Sequence, residues 1–226
     1  MGILERKAIV IGATGLVGSI LVHSLLRQPE YGLVRIFVRQ QLELEHPKLE
    51  QHLVDWDRLE DAKDLFRGMD DLYCCLGTTI KKAGSQENFR KVDYHYPVEA
   101  AKLAIHQGAT QMLVISSMGA SASSRVFYSR TKGELEEALS SIGFRSLHIF
   151  RPSLILGDRS ETRIGEQLAA HLMKFLDRWM RGRAAKYRAI HASTIARAMI
   201  NMALVRTKGN HVYSNEVIHV LGTEDS

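Results

Sequence analysis

The chain is poor in cysteine, in long apolar runs and in metal-ligand spacings, and each shortage excludes a class of protein. Its two cysteines in 226 residues are neighbours, Cys74 and Cys75. Adjacent cysteines build no disulfide framework, and so low a count points to a reducing compartment, with the cytoplasm as the expected location. No stretch approaches the roughly 18 apolar residues that a membrane-spanning helix needs. Arg6 and Lys7 interrupt the first apolar run, so no signal peptide is expected. The ten histidines include neither a His-Glu-x-x-His pair nor a Cys/His ligand spacing, so no metal is expected. Internal repeats, low-complexity segments and nucleic-acid-binding signatures are absent as well.

What is present fits a globular chain. Hydrophobic residues make up 45% and charged residues 24%. A length of 226 residues suits one domain spanning 1–226, able to bury about 70% of its unfolded surface without a disulfide or metal. The net charge is +5, and its densest basic group is Arg178, Arg181, Arg183, Lys186 and Arg188. Without a nucleic-acid module, that balance suits an anionic ligand or a membrane surface. Gly165 to Met180 forms an amphipathic helical pattern, with Leu168, Leu172, Phe175, Leu176 and Trp179 on one stripe. A lid over a pocket is the favoured reading, and peripheral contact with a membrane surface is the other.

The stretch Lys7–Ser19, KAIVIGATGLVGS, organises the rest. Lys7–Ile11 is a β-branched apolar run long enough for one buried strand. Gly12, Gly15 and Gly18 follow, and Ile20–Leu26 continues with apolar residues at helical spacing. Strand, glycine turn and helix make a dinucleotide-binding unit: glycine lets the backbone approach a pyrophosphate, and the helix N-terminus offers free N–H groups to it. Further strands are expected at Leu33–Val38, Leu49–Val54, Asp71–Leu76, Met112–Ile115 and Leu147–Phe150, with a last strand-like segment over His211–Val220. Helices are expected near Leu59–Phe66, over Asn88–Gln107 with Pro97 kinking it or ending its first part, over Tyr128–Leu139 and over Ser193–Val205. The alternation of short strands and helices predicts a parallel α/β sheet.

Several residues then fall where chemistry would be done. The end of the second strand carries Arg39 and Gln40, not the acid that would hold a ribose 2′-hydroxyl, and an arginine there suits a 2′-phosphate. Asp55 fits either an adenine-edge contact or a helix cap. Cys74 and Cys75 read as small buried apolar residues rather than redox groups. Ser116-Ser117 ends a strand, and Tyr128 and Lys132 share one helix face at a spacing of i, i+4. Two serines and this pair can meet in a single crevice.

The glycine motif, Ser116-Ser117 and Tyr128-Ser-Arg-Thr-Lys132 resemble the short-chain dehydrogenase/reductase superfamily in its atypical branch. Cys74-Cys-Leu-Gly-Thr-Thr79, Phe127 through Glu134, Phe150-Arg-Pro152 and Asp158–Arg163 are similar to the Tat-interacting-protein oxidoreductases, from Ile9 to about Ala203. The resemblance implies a doubly wound, Rossmann-type parallel sheet with helices on both faces and a small C-terminal pocket or lid region over 156–190. It implies NADP(H) as cofactor, with Gly12, Thr14, Gly15, Leu16 and Val17 at the pyrophosphate and Arg39 and Gln40 at the 2′-phosphate. Leu76, Gly77 and Thr78 would lie beside the cofactor, Ile155 near the nicotinamide, and Arg163 in contact with it. Tyr128 and Lys132 match the catalytic pair, and Ser117, in preference to Ser116, matches the serine. Asp93 stands where many superfamily members carry Asn. The implied activity is hydride transfer between NADPH and a small carbonyl or enone, with Lys132 helping a phenol that ordinarily titrates near ~10 to ionise. The alternative is a non-catalytic NADP-sensing protein.

Overall fold

A computed structural model describes residues 5–157 and 188–223. Its centre is a seven-stranded sheet in the order β3-β2-β1-β4-β5-β6-β9, every neighbouring pair parallel. The strands are β1 (Arg6–Ile11), β2 (Tyr31–Val38), β3 (Leu49–Leu53), β4 (Asp71–Cys74), β5 (Gln111–Ile115), β6 (Ser146–Phe150) and β9 (Gly209–Tyr213). A separate short pair joins β7 (Ile155–Leu156) to β8 (Ile190–His191). The chain order reverses between β1 and β4, the switch point at which ligands enter open α/β sheets.

Both sheet faces are covered, which is why the central strands are apolar throughout rather than alternating. Ala8 and Val10 of β1 face α1 (Leu16–Arg27) and α6 (Ala192–Val205), where Leu21, Leu25, Ile195 and Met199 are buried. Ile9 and Ile11 face the opposite layer. That layer is a 3-10 segment (Trp56–Phe66), α4 (Tyr96–His106) and α5 (Phe127–Ile142), and it buries Leu59, Phe66, Val98 and Leu135. Each such Leu, Ile or Phe contributes roughly 1.5–3 kcal/mol.

At the amino ends of the strands a buried polar group fixes the register. Arg6 pairs with Asp71 through Nε and Nη2, Tyr31 donates to Asp71 Oδ2 at 2.6 Å, and the Tyr31 and Tyr73 hydroxyls meet at 2.9 Å. With that end locked, Ile11, Phe37 and Cys74 fall level at the other, as do Ile115 and Phe150. The carboxyl edge is therefore where the loops converge.

Two expectations need correction. The helix expected over Asn88–Gln107 is divided: α3 (Gln86–Arg90), a wide π turn (Lys91–His95) and then α4. Of the two readings of Pro97 the second holds: it sits in the first turn of α4, where its missing N–H costs little, so the first part ends before it and a new helix starts. The strand-like segment His211–Val220 ends at Tyr213, and Asn215–Leu221 is a helix, α7. Asn215 decides this: its Oδ1 accepts from Ser153 N at 2.9 Å and its Nδ2 donates to the Arg188 carbonyl at 2.8 Å, turning the chain out of the sheet. The segment after β4 contains one helical turn, α2 (Ile80–Ala83), capped by Thr79. The amphipathic pattern over Gly165–Met180, and most of the 156–190 region, lie outside the described residues. No described helix is long and apolar enough to cross a membrane.

Candidate functional site

The glycine turn is shaped by close backbone approaches. Gly12 has φ +82°, and a Cβ there would come within 2.5 Å of the Cys75 carbonyl carbon. A Cβ on Gly18 would lie 2.1 Å from the Gly12 oxygen, so the helix can start this close to the strand only with glycine at both places. Gly15 is the N-cap of α1, with no side-chain cap and no acid in the first turn. Thr14 and Gly15 are exposed, and Leu16 and Val17 open the helix. The dipole end of α1 is thus uncompensated and faces the carboxyl edge, as an anion would require. Ile155 and Gly157 cross above it: a Cβ on Gly157 would meet the Leu16 Cδ1 at 2.6 Å.

Beyond β2, Arg39 and Gln40 are exposed. The Tyr96 hydroxyl at 2.8 Å and then Lys91, with a smaller share from Arg39, hold the Asp57 carboxyl below the usual range. Asp55 caps the 3-10 segment, accepting from Asp57 N at 3.0 Å, so the capping reading is realised. Cys74 is fully buried, and burial pushes its thiol up to about 12. Cys75 is pushed up by burial too, so neither supplies a thiolate near neutrality.

Leu76, Gly77 and Thr78 leave β4 and form one wall of the crevice. Behind that wall lies an ion pair: Lys132 Nζ is 2.7 Å from Asp93 Oδ1, with side-chain exposures of 4% and 1%. Asp93 Oδ2 accepts from the Thr78 N–H at 2.9 Å. A Cβ on Gly77 would stand 4.0 Å from Lys132 Nζ, so the ammonium rests against this wall. Burial pulls the Lys132 ammonium down, but Asp93 first and Tyr128 second outweigh it, and the net direction is up. Tyr128, one turn earlier on α5, is 36% exposed and is braced by the Phe89 ring at 5.6 Å between centroids.

The two serines differ sharply. Ser116 Oγ donates to Glu136 Oε1, and Arg151 holds the same carboxylate through Nε at 3.0 Å and through Nη2. Ser117 Oγ is buried with no hydrogen-bond partner. Of the pair, only Ser117 has a hydroxyl left for a ligand. Arg163 lies outside the described residues. Among those described, no group of three His, Cys, Asp or Glu side chains is placed to hold a metal ion.

Sequence reading gave Asp93 no part in the site and missed Glu136. Asp93 carried a signal: with Phe89 and Pro97 it falls at i, i+4 on a buried helical face, where an acid needs a partner.

Comparison with known proteins identifies the family. A family model described as NAD(P)H-binding matches residues 12–144. Protein HTATIP2 of Rattus norvegicus is 34% identical over 225 residues, covering 97% of this chain and 90% of its own. Protein FMP52, mitochondrial, of Candida albicans is 30% identical over 222 residues, covering 96% and 94%. Among solved structures, MoeE5 in complex with UDP-glucose and NAD gives a TM-score of 0.68 at 17% identity, covering 94% of this chain and 79% of that one. A UDP-glucose 4-epimerase of Thermotoga maritima with UDP-glucose gives 0.69 at 15%, covering 96% and 81%. At such identities the structures speak to the fold, which is Rossmann-like, and the sequence relatives speak to the family. The chain belongs to the NAD(P)H-binding family, alongside the HTATIP2 and FMP52 proteins.

Proposed function

We propose that this chain is an NADP-dependent oxidoreductase that moves hydride between NADPH and a small carbonyl or enone at a Ser117–Tyr128–Lys132 site. The observation that carries the reading is the Lys132 ammonium, buried at the carboxyl edge of the sheet against Gly77 and one turn from an accessible tyrosine. NADP(H) would supply the hydride chemistry when bound.

The protein's residues do the rest. Gly12, Thr14, Gly15, Leu16 and Val17 would hold the pyrophosphate, and Arg39 and Gln40 the 2′-phosphate. Leu76, Gly77, Thr78 and Ile155 line the nicotinamide end. Ser117 Oγ donates to the substrate oxygen, which is the partner that hydroxyl lacks. As the carbonyl carbon takes hydride, its oxygen takes the proton of Tyr128, and the positive charge of Lys132 steadies the phenolate left behind. Lys132 also reaches the ribose hydroxyls. The reducing compartment suggested by the free Cys74 and Cys75 is taken to be the cytoplasm; because relatives are named mitochondrial, fractionation of tagged protein is the direct check.

Turnover tests the reading. Wild type, Tyr128→Phe and Lys132→Ala are followed through NADPH absorbance on aldehydes, ketones, quinones and enones. Tyr128→Phe should bind NADPH normally and lose a factor on the order of 10²–10⁴ in turnover. Lys132→Ala should lose both. Tight NADPH binding with no turnover by wild type on the whole panel would replace the reductase with a cofactor-sensing regulator.

A further inference from the structure

The Lys132–Asp93 pair does more than fill the floor of the crevice. A lysine ammonium this deeply buried is costly unless an acid faces it, because burial favours the neutral amine. The groups that face it can be named element by element. Asp93 comes from the π turn, Cys74 from β4, Tyr128 from α5 itself, and the Gly77 backbone from the loop after β4. Cys74 is a neutral thiol near neutrality. The carboxylates of the flanking segments are engaged elsewhere: Glu134 with Arg90, Glu136 with Arg151, and Asp57 with Lys91 at 3.5 Å. Asp93 is therefore the carboxylate within reach of Lys132.

We infer that Asp93 is the positioning residue of the reaction, holding Lys132 charged and aimed at the cofactor wall. It rests on the reductase reading for its catalytic consequence but not for its physical basis. Its second oxygen accepts from Thr78 N–H, so the same carboxylate fixes the wall and the ammonium relative to each other. Asparagine could keep the Thr78 contact through its carbonyl but would supply no charge. With Asp93→Asn, burial prevails and Lys132 releases its proton at lower pH. The phenolate of Tyr128 then loses its cation as pH rises.

The test separates this role from a structural one. The Lys132 ε-carbon resonance is titrated in 13C-lysine-labelled, cofactor-free protein and assigned by its loss in Lys132→Arg. In Asp93→Asn it should titrate at least about one pH unit below wild type, whereas Asp93→Glu should stay near wild type. On any substrate turned over, the basic limb of the kcat profile should move down with it. A structural defect would lower kcat at every pH and leave the limb in place. An unchanged Lys132 titration in folded Asp93→Asn would overturn the inference. If that variant does not fold, Asp93→Asn/Lys132→Met removes both charges and should fold; its failure to do so would overturn the inference as well. A wild type that turns over nothing, with the Lys132 titration still lowered in Asp93→Asn, supports the counter-ion and defeats only the reductase reading.

Discussion

Arg39 is one residue past the last paired position of β2, exposed, with Asp57, Tyr96 and Lys91 nearby. An exposed arginine near one exposed carboxylate gains little from it, because solvent screens surface charges. A dianionic 2′-phosphate accepting charge-assisted hydrogen bonds is worth more, roughly 1.5–3 kcal/mol. The guanidinium is thus expected to prefer a phosphate to Asp57. Titration calorimetry on wild type and Arg39→Ala should show NADPH affinity falling about tenfold or more, with NADH affinity nearly unchanged. Equal losses for the two cofactors would mean that Arg39 acts through Asp57 or the fold. At the same scale Ser116 and Ser117 are adjacent letters with opposite fates, because Glu136 and Arg151 claim the first and nothing claims the second.

Among the elements, α5 carries the site, and a single glycine sets where it lies. A Cβ on Gly133 would come within 2.1 Å of both Ala122 N and the Ser121 carbonyl carbon, and both are backbone atoms. The Ser121 N–H donates to the Ser129 carbonyl at 3.0 Å, so the loop after Ser117 lies flat on the helix. Two effects compete in Gly133→Ala. Alanine is the better helix former by about 1 kcal/mol. Overpacking against backbone that has nowhere to go costs about 1–3 kcal/mol, and a contact this short puts it at the upper end. The variant should melt lower than wild type and turn over more slowly, since the loop that is pushed away begins at the candidate serine. A Gly133→Ala protein that melts at or above wild type would show that propensity had won.

The elements also explain what sequence could deliver. β1, β2, β5 and the glycine turn are legible because a strand covered on both faces is apolar throughout, and a turn pressed on neighbouring backbone admits only glycine. Tyr128 and Lys132 are legible because i, i+4 places them on one face wherever the helix goes. The π turn at Lys91–His95 and the ion pair at Asp93 are not, since Asp93 meets its partner only when α5 packs against that turn. Val217, Ile218 and Val220 read as strand because they are β-branched, yet Asn215 ties the segment to Ser153 and Arg188 and it coils.

Across the molecule, one buried histidine makes stability depend on pH. His148 in β6 is fully buried, its Nε2 2.8 Å from Ser146 Oγ and its Nδ1 2.8 Å from the Tyr213 hydroxyl, with His211 stacked at 5.3 Å. Burial first, then the neighbouring His211, pushes its pKa down to about 4. Unfolded, the imidazole titrates near ~6.5. Between those values the unfolded chain binds the proton and the folded one does not, so stability rises with pH there. The contribution is present above ~6.5 and is lost as pH falls toward 4. By linkage the loss between neutral pH and pH 5.5 is on the order of 1 kcal/mol, or roughly 2–4 °C of melting temperature for a chain of this size. Glu50, lowered by its bond to Arg35 against the opposing pull of burial, continues the trend at still lower pH. Replacing His148 with Gln removes the titrating group and leaves every other histidine in place, so the difference between the two melting curves isolates it. The variant should melt lower at pH 7.5, and the gap should close by those few degrees at pH 5.5. Parallel curves across that interval would assign the acid sensitivity to other groups and leave His148 as packing alone.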